Sequence, residues 1–285
     1  MSTNRRRFIQ LLTTGMISGA SMLAYSRLIG SQWLELKKVK IPLINELHSN
    51  PILRILHLSD FHASKAVSRQ LIESAIFQGL AQKPDIVCLT GDFITMSLYK
   101  ENEYADLLKI LTKHCPTYAC LGNHDGGDWA KKKQGGYKDI SAISGFLKRC
   151  DIDLLVNESR RISINNQTFN ISGLGDLWGD NFTPEKVLSA KISPTEKTIL
   201  LAHNPDTKDC LRDDLHWDLM LSGHTHGGQI KFPFMEPIIL PVQDKRFYQG
   251  LYNWNNRHLH ISAGIGNVYG IRFNCHPELS ILDIC

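Results

Sequence analysis

The segment LSGHTHGGQ, Leu221 to Gln229, sets His224 and His226 one residue apart behind an apolar run. In extended backbone, residues i and i+2 project to the same face, so both imidazoles can aim at one target. Alone, such a pair is as compatible with a solvated polar turn as with a metal site. Four other segments weigh on the choice. Asp60-Phe61-His62, Gly91-Asp92, Gly122-Asn123-His124-Asp125 and His203-Asn204 each follow an apolar run of their own. Oxygen and imidazole donors recurring at the same place in the pattern point to a metal centre, and their number to two metals. No thiolate is among them. That disfavours a closed structural zinc site and suits Mn²⁺, Fe²⁺/³⁺ or Zn²⁺.

Such donors need elements that deliver them to one place. The runs at 52–60, 85–92, 117–123, 198–204 and 218–224 are near-continuously apolar, the pattern of strands buried on both faces. Between the early runs, Val67, Leu71, Ile72, Ala75, Ile76 and Leu80 recur at helical spacing. So do Tyr104, Leu107, Leu108 and Leu111, and later Ile140, Ile143 and Leu147. Pro84 and Pro116 close the first two helices. A β-α-β-α-β start implies parallel strands with right-handed crossovers. In open α/β sheets, ligands bind beyond the carboxyl ends of the strands, where all five polar segments fall. The later half predicts a hairpin turning at Asn165-Asn166, a second around Asn253–Asn256, and a last strand in PELSILDI. The sum is a mixed α/β domain with two sheets.

The chain of 285 residues carries a formal charge of +4, but the charge is concentrated at one end. Residues 1–40 hold seven Lys/Arg and one Glu, a net of +6, so the remainder sums to −2. A near-neutral body lacks the basic face of a nucleic-acid binder, and no nucleic-acid partner is expected. Arg5, Arg6, Phe8 and Ile9 resemble a twin-arginine export signal, followed by a modest apolar stretch to Tyr25. The stretch is weak for a transmembrane helix and suits a signal h-region. Residues 1–40 are therefore read as a signal or N-terminal membrane anchor, and 41–285 as the functional domain. The expected location is outside the cytoplasmic membrane, in the periplasm or cell envelope. The export machinery is then one partner, and membrane association through the N-terminus a further expectation. The odd count of seven Cys leaves at least one unpaired within the chain, and Cys88 and Cys120 read as core.

In order and spacing, D-x-H, G-D, G-N-H-D, a lone His and G-H-x-H resemble the calcineurin-like metallophosphoesterase family over roughly residues 52–280. The resemblance implies an α/β/β/α sandwich, two mixed β-sheets flanked by helices. It implies that Asp60, His62 and His226 hold one divalent metal, that Asn123, His203 and His224 hold the other, and that Asp92 bridges them. It implies hydrolysis of a phosphate ester by a metal-bridging hydroxide, with His124 protonating or stabilising the leaving oxygen. Asp125 is expected to orient the His124 ring or to serve as a turn residue. The tail SAGIGNVYGIRFNCHPELSILDI is similar to a bacterial subgroup of exported, membrane-associated phosphodiesterases. Ala263 departs from the Arg or Thr usual there, which puts one substrate contact in doubt. The expected substrate is a small phosphodiester or a phospholipid-type molecule. The alternatives are a pyrophosphohydrolase of a UDP-linked lipid precursor of the UDP-2,3-diacylglucosamine type, and a non-catalytic scaffold on the same fold. Trp129 and Lys131–Lys133 are candidate substrate contacts in a segment more readily read as a solvated loop. Trp178 and Trp254 read as packing residues.

Overall fold

The computed structural model describes residues 19–44, 51–188, 196–237 and 239–285. The twin-arginine residues Arg5, Arg6, Phe8 and Ile9 lie outside the described residues. Among the described residues no helix is long and apolar enough to cross a membrane.

Two six-stranded sheets face each other. The first runs in the order β1 (Glu35–Ile41), β12 (Glu278–Ile284), β2 (Leu53–Leu58), β3 (Ile86–Thr90), β4 (Thr117–Cys120), β5 (Asp153–Leu154). The second runs β10 (Gly250–Trp254), β11 (Arg257–Ile261), β9 (Leu219–Ser222), β8 (Lys197–Leu201), β7 (Gln167–Gly173), β6 (Glu158–Ile164). Strands β2 to β5 are parallel, as are β7, β8, β9 and β11. Antiparallel pairs join β12 to β2, β6 to β7 and β10 to β11, so both sheets are mixed. Both predicted hairpins form. Their turns place Asn165 and Asn166 at φ 49 and 63, and Asn255 and Asn256 at φ 50 and 60. Asn tolerates that left-handed backbone better than most residues.

Period-2 alternation sorts each strand between two cores. Leu53, Ile55, Ile86, Cys88 and Cys120 face the second sheet and meet Phe169, Ile171, Ile199, Leu201, Leu219 and Leu221. Their neighbours Leu56, Leu58, Val87 and Leu89 face outward to the helices. Each buried Leu or Ile side chain contributes roughly 1.5–3 kcal/mol. Helices α1 (Arg69–Leu80), α2 (Glu101–Thr112) and α4 (Ser141–Arg149) cover that outer face. Ser68 caps α1 by accepting from the Leu71 N–H at 3.1 Å. Over the second sheet lie short turns and the single-turn α5 (Thr207–Cys210), packed around Trp217, Leu215 and Met220. This is the α/β/β/α sandwich with a thin second helical layer.

Two expectations shift. Residues 35–41, grouped with the N-terminal segment in the sequence, form β1 and pair in parallel with β12 along its whole length. The folded body therefore starts before Glu35 and not at residue 41. ELKKVKI, with three lysines, reads as polar because β1 is an edge strand with its face half exposed. The stretch after Gly127 is not a plain loop. It forms a short helix, α3 (Asp128–Lys133), with Lys131–Lys133 exposed.

Candidate metal centre

Strand ends β2, β3, β4, β8 and β9 converge on one edge of the sandwich, as the pattern of polar segments requires. Asp60, His62, Asp92 and His226 bring one ligand atom each within 4.8 Å of one another, and Asp92, His203 and His224 do the same. Asp92 belongs to both groups. His62 Nε2 lies 3.1 Å from His226 Nε2 and 3.3 Å from Asp92 Oδ2, and Asp60 Oδ1 is 3.5 Å from His226 Nε2. On the other side, His203 Nε2 is 3.2 Å from Asp92 Oδ2 and 3.2 Å from His224 Nδ1. All seven candidate ligands, Asn123 included, are buried.

The outer nitrogens explain why the inner ones need a cation. His203 Nδ1 meets the Thr90 carbonyl at 2.7 Å and His224 Nε2 the Pro241 carbonyl at 2.9 Å. A carbonyl only accepts, so each of these nitrogens carries the hydrogen, and a neutral ring leaves its other nitrogen bare. The inner nitrogens, His203 Nε2 and His224 Nδ1, point at each other beside the Asp92 carboxylate. Asn123 Oδ1 is buried without a hydrogen-bond partner, a neutral oxygen waiting for a Lewis acid. The donor set therefore fits two divalent cations. The charges agree. Burial works to lower the His203 pKa, yet the Asp92 carboxylate, with Asp60 and Asp176, raises it well above the usual range. The pocket thus draws in positive charge, and cations would take the place of that proton. Burial and His203 push His224 down to about 3, so its ring stays neutral.

The local backbone is strained at these residues. Asp60, His62, Asp92, His224 and His226 have φ of 51, 44, 53, 70 and 50. Left-handed conformations at non-glycine residues persist where surrounding contacts enforce them, and they cluster at functional sites. Close approach explains one glycine in particular. A Cβ on Gly122 would lie 2.3 Å from Asp92 Oδ1, so any side chain there would push Asp92 aside.

His124 follows Asn123 but faces a cavity. Its backbone N–H donates to Asp92 Oδ1 at 2.9 Å, and its Nδ1 is held by the Thr95 carbonyl at 2.7 Å. Nε2 is the ring nitrogen left for a ligand. The cavity, about 230 Å³, is lined by His124, Trp129, Trp178, Ile239, Val268 and Tyr269 among others.

The expected contact between Asp125 and the His124 ring is not made; the Thr95 carbonyl holds that ring instead. Asp125 accepts from the backbone N–H groups of Asp92 (2.9 Å), Phe93 (2.8 Å) and Gly122 (2.8 Å), with Ile94 at 3.4 Å. It ties the Gly91-Asp92 turn to the Gly122–Asp125 turn. Burial and the neighbouring Asp92 push its pKa up to about 8, against the pull of these N–H groups.

Some residues gave no usable signal. Arg272 is fully buried and donates to the carbonyls of Ala263 (2.7 Å) and Gly264 (3.0 Å), bracing the loop behind His226. A lone Arg in YGIRFN reads as solvated. Trp178, expected to be a packing residue, stands edge-on to the His224 ring at 4.5 Å between centroids and stacks on Trp129 at 6.3 Å. Trp254 packs on Trp217 as expected.

The calcineurin-like phosphoesterase family model matches residues 53–228. Phosphodiesterase YaeI of Escherichia coli is 36% identical over 99% of both chains. An uncharacterized metallophosphoesterase of Bacillus subtilis, YkuE, is 28% identical over 99% of this chain and 97% of its own. The UDP-2,3-diacylglucosamine pyrophosphatase LpxG of Chlamydia trachomatis is 28% identical, with 81% and 83% of the two chains covered. With ligand clusters, fold and match all spanning the same strand ends, this chain belongs to the calcineurin-like phosphoesterase family.

Proposed function

We propose that the protein is a dinuclear metal-dependent phosphodiesterase. Asp60, His62, Asp92 and His226 hold one divalent metal, and Asp92, Asn123, His203 and His224 hold the second. The observation that carries this reading is Asp92, a single carboxylate shared by two buried donor groups. Two cations held this close together would repel, and Asp92 Oδ2, which faces both His62 and His203 while Oδ1 accepts the His124 N–H, would supply the shared negative charge that offsets the repulsion. When bound, the metals supply Lewis acidity at the phosphate oxygens and an acidified water. Mn²⁺, Fe²⁺/³⁺ and Zn²⁺ all suit these ligands.

The chain does the rest. The Thr95 carbonyl takes the Nδ1 hydrogen and fixes the His124 ring with Nε2 toward the cavity. From the imidazolium, which a bound phosphate anion would favour against the burial that lowers this pKa, Nε2 delivers a proton to the leaving oxygen as the P–O bond breaks. Asp125 keeps the turns bearing Asp92 and Asn123 in register. The walls of Trp129, Trp178, Ile239, Val268 and Tyr269 receive an ester arm and exclude water. No Lys or Arg is among the described residues that line the cavity. A monoester dianion would lack a side-chain cation for its second charge, which favours diesters. A lipid-bearing pyrophosphate presents similar charge at each phosphorus, and the chlamydial relative supports it as the second reading. With all seven donors and His124 in place, a non-catalytic scaffold is disfavoured.

A substrate panel with metal-loaded protein tests the proposal. Bis-p-nitrophenyl phosphate and glycerophosphodiesters are expected to turn over faster than p-nitrophenyl phosphate. A preference for the monoester contradicts the diesterase reading, and turnover confined to a UDP-linked lipid selects the second.

Export through the twin-arginine route is likewise a proposal, resting on Arg5, Arg6, Phe8 and Ile9. A folded reporter fused behind residues 1–45 should leave the cytoplasm only with Arg5, Arg6 and Arg7 intact. Unchanged export of the triple Arg→Lys variant overturns the twin-arginine assignment and favours a simple membrane anchor.

A further inference from the structure

Behind the metal centre, a line of buried polar side chains runs through the apolar core between the sheets. By strand alternation His57, Thr90 and His260 share the inter-sheet face with Ile55, Cys88 and their neighbours. All three are essentially without solvent contact, as is Ser59. His260 Nδ1 lies 3.0 Å from His57 Nδ1, His57 Nε2 lies 2.8 Å from Thr90 Oγ1, and Thr90 Oγ1 lies 2.8 Å from Ser59 Oγ. Ser59 Oγ ends the line 2.6 Å from Asp60 Oδ2. Burying four polar groups in a core costs stability unless every one is satisfied.

Counting hydrogens from the Asp60 end gives the line one direction. Ser59 Oγ donates its single hydrogen to Asp60 Oδ2, and Thr90 Oγ1 donates to Ser59 Oγ. The Thr90 carbonyl, 3.0 Å from Ser59 Oγ, is the longer contact and already receives His203 Nδ1. With its hydrogen committed, Ser59 must accept from Thr90, and Thr90 in turn must accept from His57 Nε2–H. Burial and the neighbouring His260 hold the His57 pKa well below the usual range, so this ring is neutral and its Nδ1 is bare. His260 then donates from Nδ1; burial pushes its pKa down to about 4, so it too is neutral.

We propose that His260, His57, Thr90 and Ser59 form a one-way chain of hydrogen-bond donors that positions Asp60. The chain occupies Oδ2 and leaves Oδ1, the oxygen nearer His226, as the metal-facing atom. His224 N–H, 3.0 Å from Oδ1 and 3.1 Å from Oδ2, restrains the same carboxylate from the opposite loop. Because His260 belongs to the second sheet and Asp60 to the first, the chain also sets the metal ligand against both sheets. The four are positioning residues: none lies among the candidate ligands or lines the cavity. The inference rests on the metal-binding part of the proposed function and not on the identity of the substrate.

Two measurements test it. On metal-free protein, ¹⁵N NMR should find His57 as the Nε2–H tautomer and His260 as the Nδ1–H tautomer; the reverse tautomer at His57 overturns the chain outright. This readout needs neither metal nor activity, so it stands or falls apart from the proposed function. In Mn²⁺ titrations, Thr90→Val should weaken one of the two sites by about 10–100-fold, the usual effect of removing a group that orients a metal ligand. Thr90→Ser, which keeps the hydroxyl, should restore it. Thr90→Val that folds and binds both ions as the wild type does contradicts the positioning role.

Discussion

Asp92→Ala empties both metal positions. Asp60, His62, His226, His203 and His224 each belong to one cluster, so removing any of them should weaken one site first; Asp92 belongs to both. Elemental analysis should find close to two transition metals per wild-type chain and less than one in the variant. The kcat should fall by at least about 10³-fold, because several kcal/mol of charge stabilisation leave with the metals. The fold should survive, since Asp92 sits beyond β3 and outside the apolar cores, and its loss frees only the His124 N–H and the His62 and His203 rings from polar contacts at the site. One tightly held metal, unaffected by the substitution, contradicts the dinuclear assignment.

His124→Ala should do the opposite, keeping the metals and losing the chemistry. Its Nδ1 is engaged by Thr95 and its Nε2 is left for the cavity, so no ligand is removed. A drop in kcat of about 10²–10⁴ is expected, the usual worth of a general acid. The loss should depend on the leaving group. p-Nitrophenolate departs without a proton, so p-nitrophenyl esters should suffer least, and alkyl phosphodiesters, which release an alkoxide, should suffer most. Equal losses with metal retained would assign His124 to charge stabilisation. Loss of metal would make it a ligand.

The site was legible in the sequence because its parts obey a local rule: each donor segment follows a continuous apolar run, and such runs become central parallel strands. The pattern alone places Asp60, His62, Asp92, Asn123, His124, His203, His224 and His226 at one edge. Residues that act across the fold escaped. Nothing local reveals that Asp125 faces the backbone of another turn, because its neighbours Gly126-Gly127 suggest an ordinary turn residue. Arg272 was hidden by its type: Arg is rarely buried unless paired, and its partners are carbonyls of a loop nine residues away. His57 and His260 show the same limit. The alternation of β2 and β11 predicts that each faces inward, but only the packing of one sheet on the other brings them together. β1 was lost for the reverse reason, since its lysines resemble a linker until β12 is seen beside it.

The central claim is that the two donor clusters form one centre around a shared carboxylate. Electron paramagnetic resonance of the protein loaded stepwise with Mn²⁺ tests it most directly. The account predicts binding of two ions per chain, with the six-line signal of an isolated ion giving way to an exchange-coupled spectrum as the second site fills. Two ions that bind with no coupling between them, or saturation at one ion per chain, would contradict it.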